Sequence, residues 1–146
     1  SFMSNKHSAF EGIKVLDLST RLSGAWAARL FGDFGAEVLL PETADGHFTR
    51  NCAPFFDAGG VKKSLLHEYV NWNKTSTCAD EGHVAALISA ADIVVTTQPS
   101  DLIEHLDIQS IHLSITPHGL SGPWSAIDGN DLTHSANSGW AMINKF

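Results

Sequence analysis

The chain of 146 residues is 43% hydrophobic and 17% charged, enough apolar material for one ordinary core and too much for a disordered segment. A formal net charge of −7 with no Lys/Arg run argues against nucleic acid as a partner, because phosphate binding rests on clustered cations. Two cysteines without CxxC spacing, histidines without ligand-type spacing and the lack of any run of about 18 apolar residues argue against a zinc ribbon, a redox dithiol, a histidine metal site and a membrane span.

Ser1 and Phe2 before Met3 read as a tag remnant, so residues 1–8 are set aside as a flexible terminus and residues 9–146 are taken as the domain. With two free thiols and no signal segment in this stretch, a cytoplasmic setting is the default expectation. Residues 12–18 form a β-type run that Ser19 and Thr20 end. From Ser23 the apolar spacing turns helical, with Trp26, Phe31 and Phe34 expected on the core face and Gly35 at the C-cap. Residues 36–40 follow as a second strand that stops at Pro41.

Residues 42–63 are rich in Gly, Asp, Thr and Pro without a period, and read as a long surface excursion with one helical turn. A short helix over 64–70, a weak strand over 75–78, a helix opened by Asp80 and Glu81, a β-branched strand over 92–97, a short helix over 102–106 and a strand over 110–115 complete the alternation. Residues 128–146 read as a helix with an acidic start. Alternating strands and helices predict an α/β fold, an open and mainly parallel Rossmann-like sheet with helices on both faces. Its ligand edge falls at residues 19–24, 42–45, 97–100 and 116–122.

The first strand-to-helix turn, Ser19-Thr-Arg-Leu-Ser-Gly-Ala-Trp26, has one glycine where a dinucleotide turn needs GxGxxG, and no Walker pattern is present. Gly119-Leu-Ser-Gly122 places its second glycine one residue too early for a nucleophile elbow. What these residues do match is a family. The stretch from Phe10 to Ser19, the pair Ser23-Gly24, the run from Leu30 to Val38, Asn71-Trp-Asn-Lys-Thr-Ser76, Ala91-Asp-Ile-Val-Val95 and Ser114-Ile-Thr-Pro-His-Gly-Leu-Ser-Gly-Pro123 resemble, in order, the blocks that open the family III CoA-transferases.

That resemblance implies an enzyme that moves CoA between carboxylic acids through an aspartyl-CoA thioester, with an acyl-CoA as substrate and no covalently bound cofactor. It places the nucleophilic Asp in a later Gly-Asp motif, beyond residue 146, so that this chain is the N-terminal part of a longer subunit, inactive alone, whose full form is an interlocked homodimer. Carried over residue by residue, the CoA-facing positions are Arg21, Leu22, Ser23, Gly24, Thr43, Asn73, Lys74, Thr97 and Gln98. Arg21 is a candidate phosphate partner, whereas Thr43 and Thr75 stand where the family has cations. Two other readings fit the same blocks: a non-catalytic structural or CoA-binding module of a longer or tandem protein, and an α-methylacyl-CoA racemase-like fragment.

Overall fold

The computed structural model describes residues 8–98 and 106–143; the helix expected over 102–106 lies almost wholly outside them. Strand β1 (Lys14–Asp17) buries every residue after Lys14, and helix α1 (Leu22–Asp33) returns the chain to β2 (Glu37–Glu42). The strand runs through Pro41 to Glu42, farther than expected: pairing with β1 ends at Leu39, and Pro41 and Glu42 pair only with the strand on the other side.

The excursion that follows is more ordered than its composition suggested. A 3-10 turn, Phe48–Asn51, leads into a hairpin of β3 (Phe55–Asp57) and β4 (Lys62–Ser64), closed by Ala58 N to Val61 O and by the Asp57 carboxylate on Gly60 N. Helix α2 (Leu65–Val70) starts where Ser64 Oγ accepts from His67 N, the capping that a Ser before an apolar run provides. Strand β5 (Lys74–Cys78), helix α3 (Glu81–Ala90) capped by Asp80, β6 (Ile93–Thr96) and β7 (Ile111–Ser114) continue the alternation.

The five strands are parallel in the order β5-β2-β1-β6-β7. Helix α1 packs on one face over Val15, Val38 and Val95, with Ala28 as its buried contact; α3 packs on the other over Leu16 and Val94, with Ile88. The sheet is therefore covered on both sides, as the sequence pattern required. One expectation about α1 holds only for Phe31, which is partly buried against the core beside Phe10. The fully buried residues of the helix are Gly24, Ala25 and Ala28, while Phe34 is 56% exposed and Trp26 lies half-buried against Tyr69. Small residues let the helix backbone approach the sheet, and Trp26 and Phe34 fall outside that contact.

The last segment also differs. In place of one helix, α4 (Asp131–Asn137) and α5 (Trp140–Ile143) are separated at Gly139, whose φ of +78° no continuing helix adopts. The cap of α4 is Asn130, in a reciprocal capping box with Thr133, and Asp128 points elsewhere.

Candidate functional site

Chain progression reverses between β1 and β6, so the carboxyl ends of these strands form the crevice in which open parallel sheets bind ligands. Asp17, the last residue of β1, is buried there. One of its carboxylate oxygens accepts from Ser19 N at 3.0 Å and the other from Lys74 Nζ at 2.7 Å. Lys74 also donates to Ala25 O at 2.8 Å, and its side chain is 1% exposed. Burial pushes the Lys74 ammonium below the usual lysine range, with Asp17 opposing. Lys74 thus ties β5, β1 and α1 together from inside and presents no free charge to a ligand.

Thr97 fixes the turn itself: its buried hydroxyl oxygen accepts from Thr20 N at 2.8 Å and Arg21 N at 3.1 Å. Gln98 closes the neighbouring backbone, donating to Leu18 O and accepting from Thr97 N. Gly24 has a packing role. A Cβ there would stand 2.4 Å from Ser19 Cβ and 2.5 Å from Thr97 Cγ2, so the space a glycine opens is already taken by the sheet edge.

Arg21, Leu22 and Ser23 line a cavity of about 520 Å³ between the start of α1, the loop after β7 at Thr116 and Pro117, and His134 of α4. Helix α1 begins without a side-chain cap and without an acidic residue in its first turn, which leaves its positive end open toward this cavity. The Arg21 guanidinium reaches across the mouth, with Nη2 on Asp128 Oδ1 at 2.9 Å and Nη1 on Gly129 O at 3.3 Å.

The other candidates stand apart. Asn73 donates to Arg29 O and Asp33 Oδ1 and so holds the far half of α1. Thr43 lines a different cavity, about 580 Å³, with Ala79, Val84, Ile88 and Leu106. The structure therefore brings Arg21, Leu22 and Ser23 together, sets Gly24, Thr97 and Gln98 in the framework behind them, and separates Thr43 and Asn73 from both.

Sequence reading missed a polar cluster beside the same edge. Glu42, at the end of β2, accepts from His47 N at 2.7 Å, from Arg50 Nε and Nη2 at 2.6 Å each, and from Ser76 Oγ. Its pKa falls to about 2, chiefly because the Arg50 guanidinium holds the ionised form. Arg50 thus supplies a cation near the end of β2 that the residue after Glu42 does not. Behind it, Thr49 Oγ1 stands 2.7 Å from both His47 Nδ1 and His67 Nδ1, and accepts from Asn71 Nδ2 at 3.1 Å.

One hydroxyl proton serves two imidazoles, and the carbonyl of Ser19, 3.1 Å from His47 Nε2, decides the pattern. A carbonyl only accepts, so His47 carries its proton on Nε2, Thr49 donates to His47 Nδ1, and His67 donates to Thr49. Burial pushes both histidines below the ordinary imidazole range. Nothing in the local spacing marks this group, since His47 and Thr49 stand at the start of the 3-10 turn and His67 and Asn71 at the end of α2, joined only in the folded chain.

The CoA-transferase family III profile matches residues 10–145. The succinyl-CoA:(R)-benzylsuccinate CoA-transferase subunit BbsE of Thauera aromatica is 31% identical, over 92% of this chain and 37% of its own length. The succinate–glutarate CoA-transferase of Agrobacterium fabrum is 31% identical over 97% and 40%, and the human succinyl-CoA:glutarate CoA-transferase 32% over 95% and 35%. Among solved structures, a CAIB/BAIF family protein from Brucella suis superposes with a TM-score of 0.82 at 27% identity, covering 92% of this chain and 40% of that one. The chain spans about two-fifths of the length of the relatives it matches. Among the described residues no helix is long and apolar enough to cross a membrane, and no group of three or more His, Cys, Asp or Glu side chains is placed to hold a metal. The chain belongs to CoA-transferase family III.

Proposed function

We propose that this chain supplies the CoA-facing edge of an enzyme that transfers CoA between dicarboxylic acids. The observation that carries the reading is the cavity at the strand-order reversal, roofed by the open start of α1, in a chain whose relatives are named for succinyl-CoA, benzylsuccinate and glutarate. Leu22 and Ser23 offer backbone N–H groups there, a suitable setting for the thioester end of an acyl-CoA.

The chemistry is that of a carboxylate nucleophile. An Asp carboxylate attacks the acyl-CoA carbonyl and expels CoA thiolate, which leaves a mixed anhydride. The thiolate then attacks the Asp carbonyl, which releases the donor acid and leaves an aspartyl-CoA thioester. The acceptor carboxylate repeats the sequence in reverse and takes CoA, restoring the Asp. The resemblance assigns that Asp to a Gly-Asp motif outside these residues. Asp17 is unsuited to the task, since its two oxygens are held by Lys74 and Ser19.

Calorimetric titration of the chain with CoA tests the binding half of this reading: saturable binding is expected. Mixed with succinyl-CoA and glutarate, the same chain is expected to form no glutaryl-CoA. Turnover by these residues alone would overturn the placement of the nucleophile, and lack of any CoA binding would overturn the site.

A further inference from the structure

Arg21 is the cation on the wall of the α1 cavity, and its surroundings suit one kind of ligand. Its backbone is immobilised from below, because Thr97 Oγ1 accepts from both Thr20 N and Arg21 N. Its side chain is 43% exposed, and its ionic partner Asp128 is 88% exposed. An ion pair so open to water contributes little and exchanges readily for another carboxylate. The bond to Gly129 O, at 3.3 Å, is also long. The guanidinium is a planar fork that accepts a carboxylate on two N–H groups at once.

Two further features bear on the same spot. Helix α1 presents uncapped N–H groups from Leu22 onward, with no acid in its first turn. Opposite, Asp128 sits at the mouth, and Asp131 and His134 line the α4 side of the cavity. With one guanidinium facing two acids and no lysine among the lining residues, the wall suits a singly charged carboxylate and repels a phosphate or pyrophosphate, which would bring more charge against Asp128 and Asp131.

We infer that Arg21 is a specificity-determining residue that binds the distal carboxylate of a dicarboxylic acyl group, displacing Asp128, instead of a phosphate of CoA. This inference rests on the dicarboxylate reading above. In the free chain Asp128 occupies the place of the ligand carboxylate, so neutralising it frees the fork.

Calorimetric titration of the chain with glutaryl-CoA and with butyryl-CoA separates the possibilities, since the two acyl groups differ by the distal carboxylate. Glutaryl-CoA is expected to bind about tenfold more tightly, the effect of one charge-assisted pair. In Arg21→Gln the ratio of the two affinities should fall to about one, and in Asp128→Asn it should rise about threefold above that of the native chain. The Asp128 variant alters an exposed side chain and keeps the test decisive if the Arg21 variant folds poorly. Equal affinities in the native chain, or a parallel loss for both ligands in Arg21→Gln, would overturn the inference in favour of a CoA phosphate contact while leaving CoA binding intact. Failure of both ligands to bind would instead remove the reading on which it rests, and the inference with it.

Discussion

Lys74 and Asp17 meet at 2.7 Å with almost no solvent on either side chain. Each charge costs several kcal/mol to bury, and the pair is viable because Ala25 O and Ser19 N satisfy what the ion pair leaves over. Removing one partner strands the other. Lys74→Met is expected to destabilise the fold by about 3–5 kcal/mol, and Asp17→Asn together with Lys74→Met should recover more than half of that loss, because no buried charge is left unpaired. Urea unfolding of the two variants measures this, and an equal loss in both would show that the ion pair is not what Lys74 contributes. The lysine itself was visible in the Asn71-Trp-Asn-Lys-Thr-Ser76 block. Its role was not, because the partner stands 57 residues earlier in the chain and a cation beside a ligand edge reads from sequence as a ligand contact.

At the scale of elements, the segment between β2 and α2 shows why composition misleads. Residues 42–63 lack hydrophobic periodicity, yet they organise around one carboxylate: Glu42 collects His47 N, Arg50 and Ser76, and the Thr49 hydroxyl gathers His47, His67 and Asn71 next to it. The hairpin of β3 and β4 escaped notice because its strands are three residues each and largely exposed, too short for a period to show. Strands β1, β2, β6 and β7 and helices α1 to α3 were legible because apolar runs, an N-cap Ser or Asp and the Gly35 stop are local signals, whereas β5, Lys74-Thr-Ser-Thr-Cys78, offers no apolar run and read only as a weak strand. The polar cluster predicts how stability follows pH. Glu42 titrates at about 2 when folded and at 4.5 by its ordinary value, so its contribution is complete above about pH 4.5 and is lost as pH falls through 2. That difference corresponds to at most about 3 kcal/mol, reduced by the exposure of Arg50. His47 and His67 are held below their ordinary 6.5, so the unfolded chain gains protons first and stability begins to fall as pH drops below about 6.5. Denaturation midpoints of the native chain should therefore decline in two stages between pH 7 and pH 3. Glu42→Gln should keep the upper stage and flatten most of the lower one, leaving the part due to Asp80, which the His83 backbone N–H holds below its ordinary value, and a native profile flat from pH 5 to pH 3 would refute the assignment.

For the whole molecule, the order β5-β2-β1-β6-β7 leaves two open edges, and they are not equivalent. Beyond β7 the chain ends in α4 and α5, neither of which buries a residue. Trp124, Ile127, Leu132, Trp140, Met142 and Ile143 are all more than half exposed there, and Ile111 on β7 itself is 67% exposed. Exposed apolar side chains gathered along one stretch of chain are the kind of surface that attracts other apolar surface. This surface was not legible in the sequence, because residues 128–146 read as one helix and the break at Gly139 divides them into α4 and α5. The patch should make the chain adhesive without adding to its stability. Leu132→Lys with Met142→Lys is expected to lower the fluorescence of an apolar dye bound to the folded chain by roughly half, and to reduce concentration-dependent self-association in sedimentation. The unfolding free energy should move by no more than about 0.5 kcal/mol, as for surface changes that remove no packing. A loss of stability well beyond that would mean that these side chains are packed in solution, and that the end of the chain folds back onto the β7 edge.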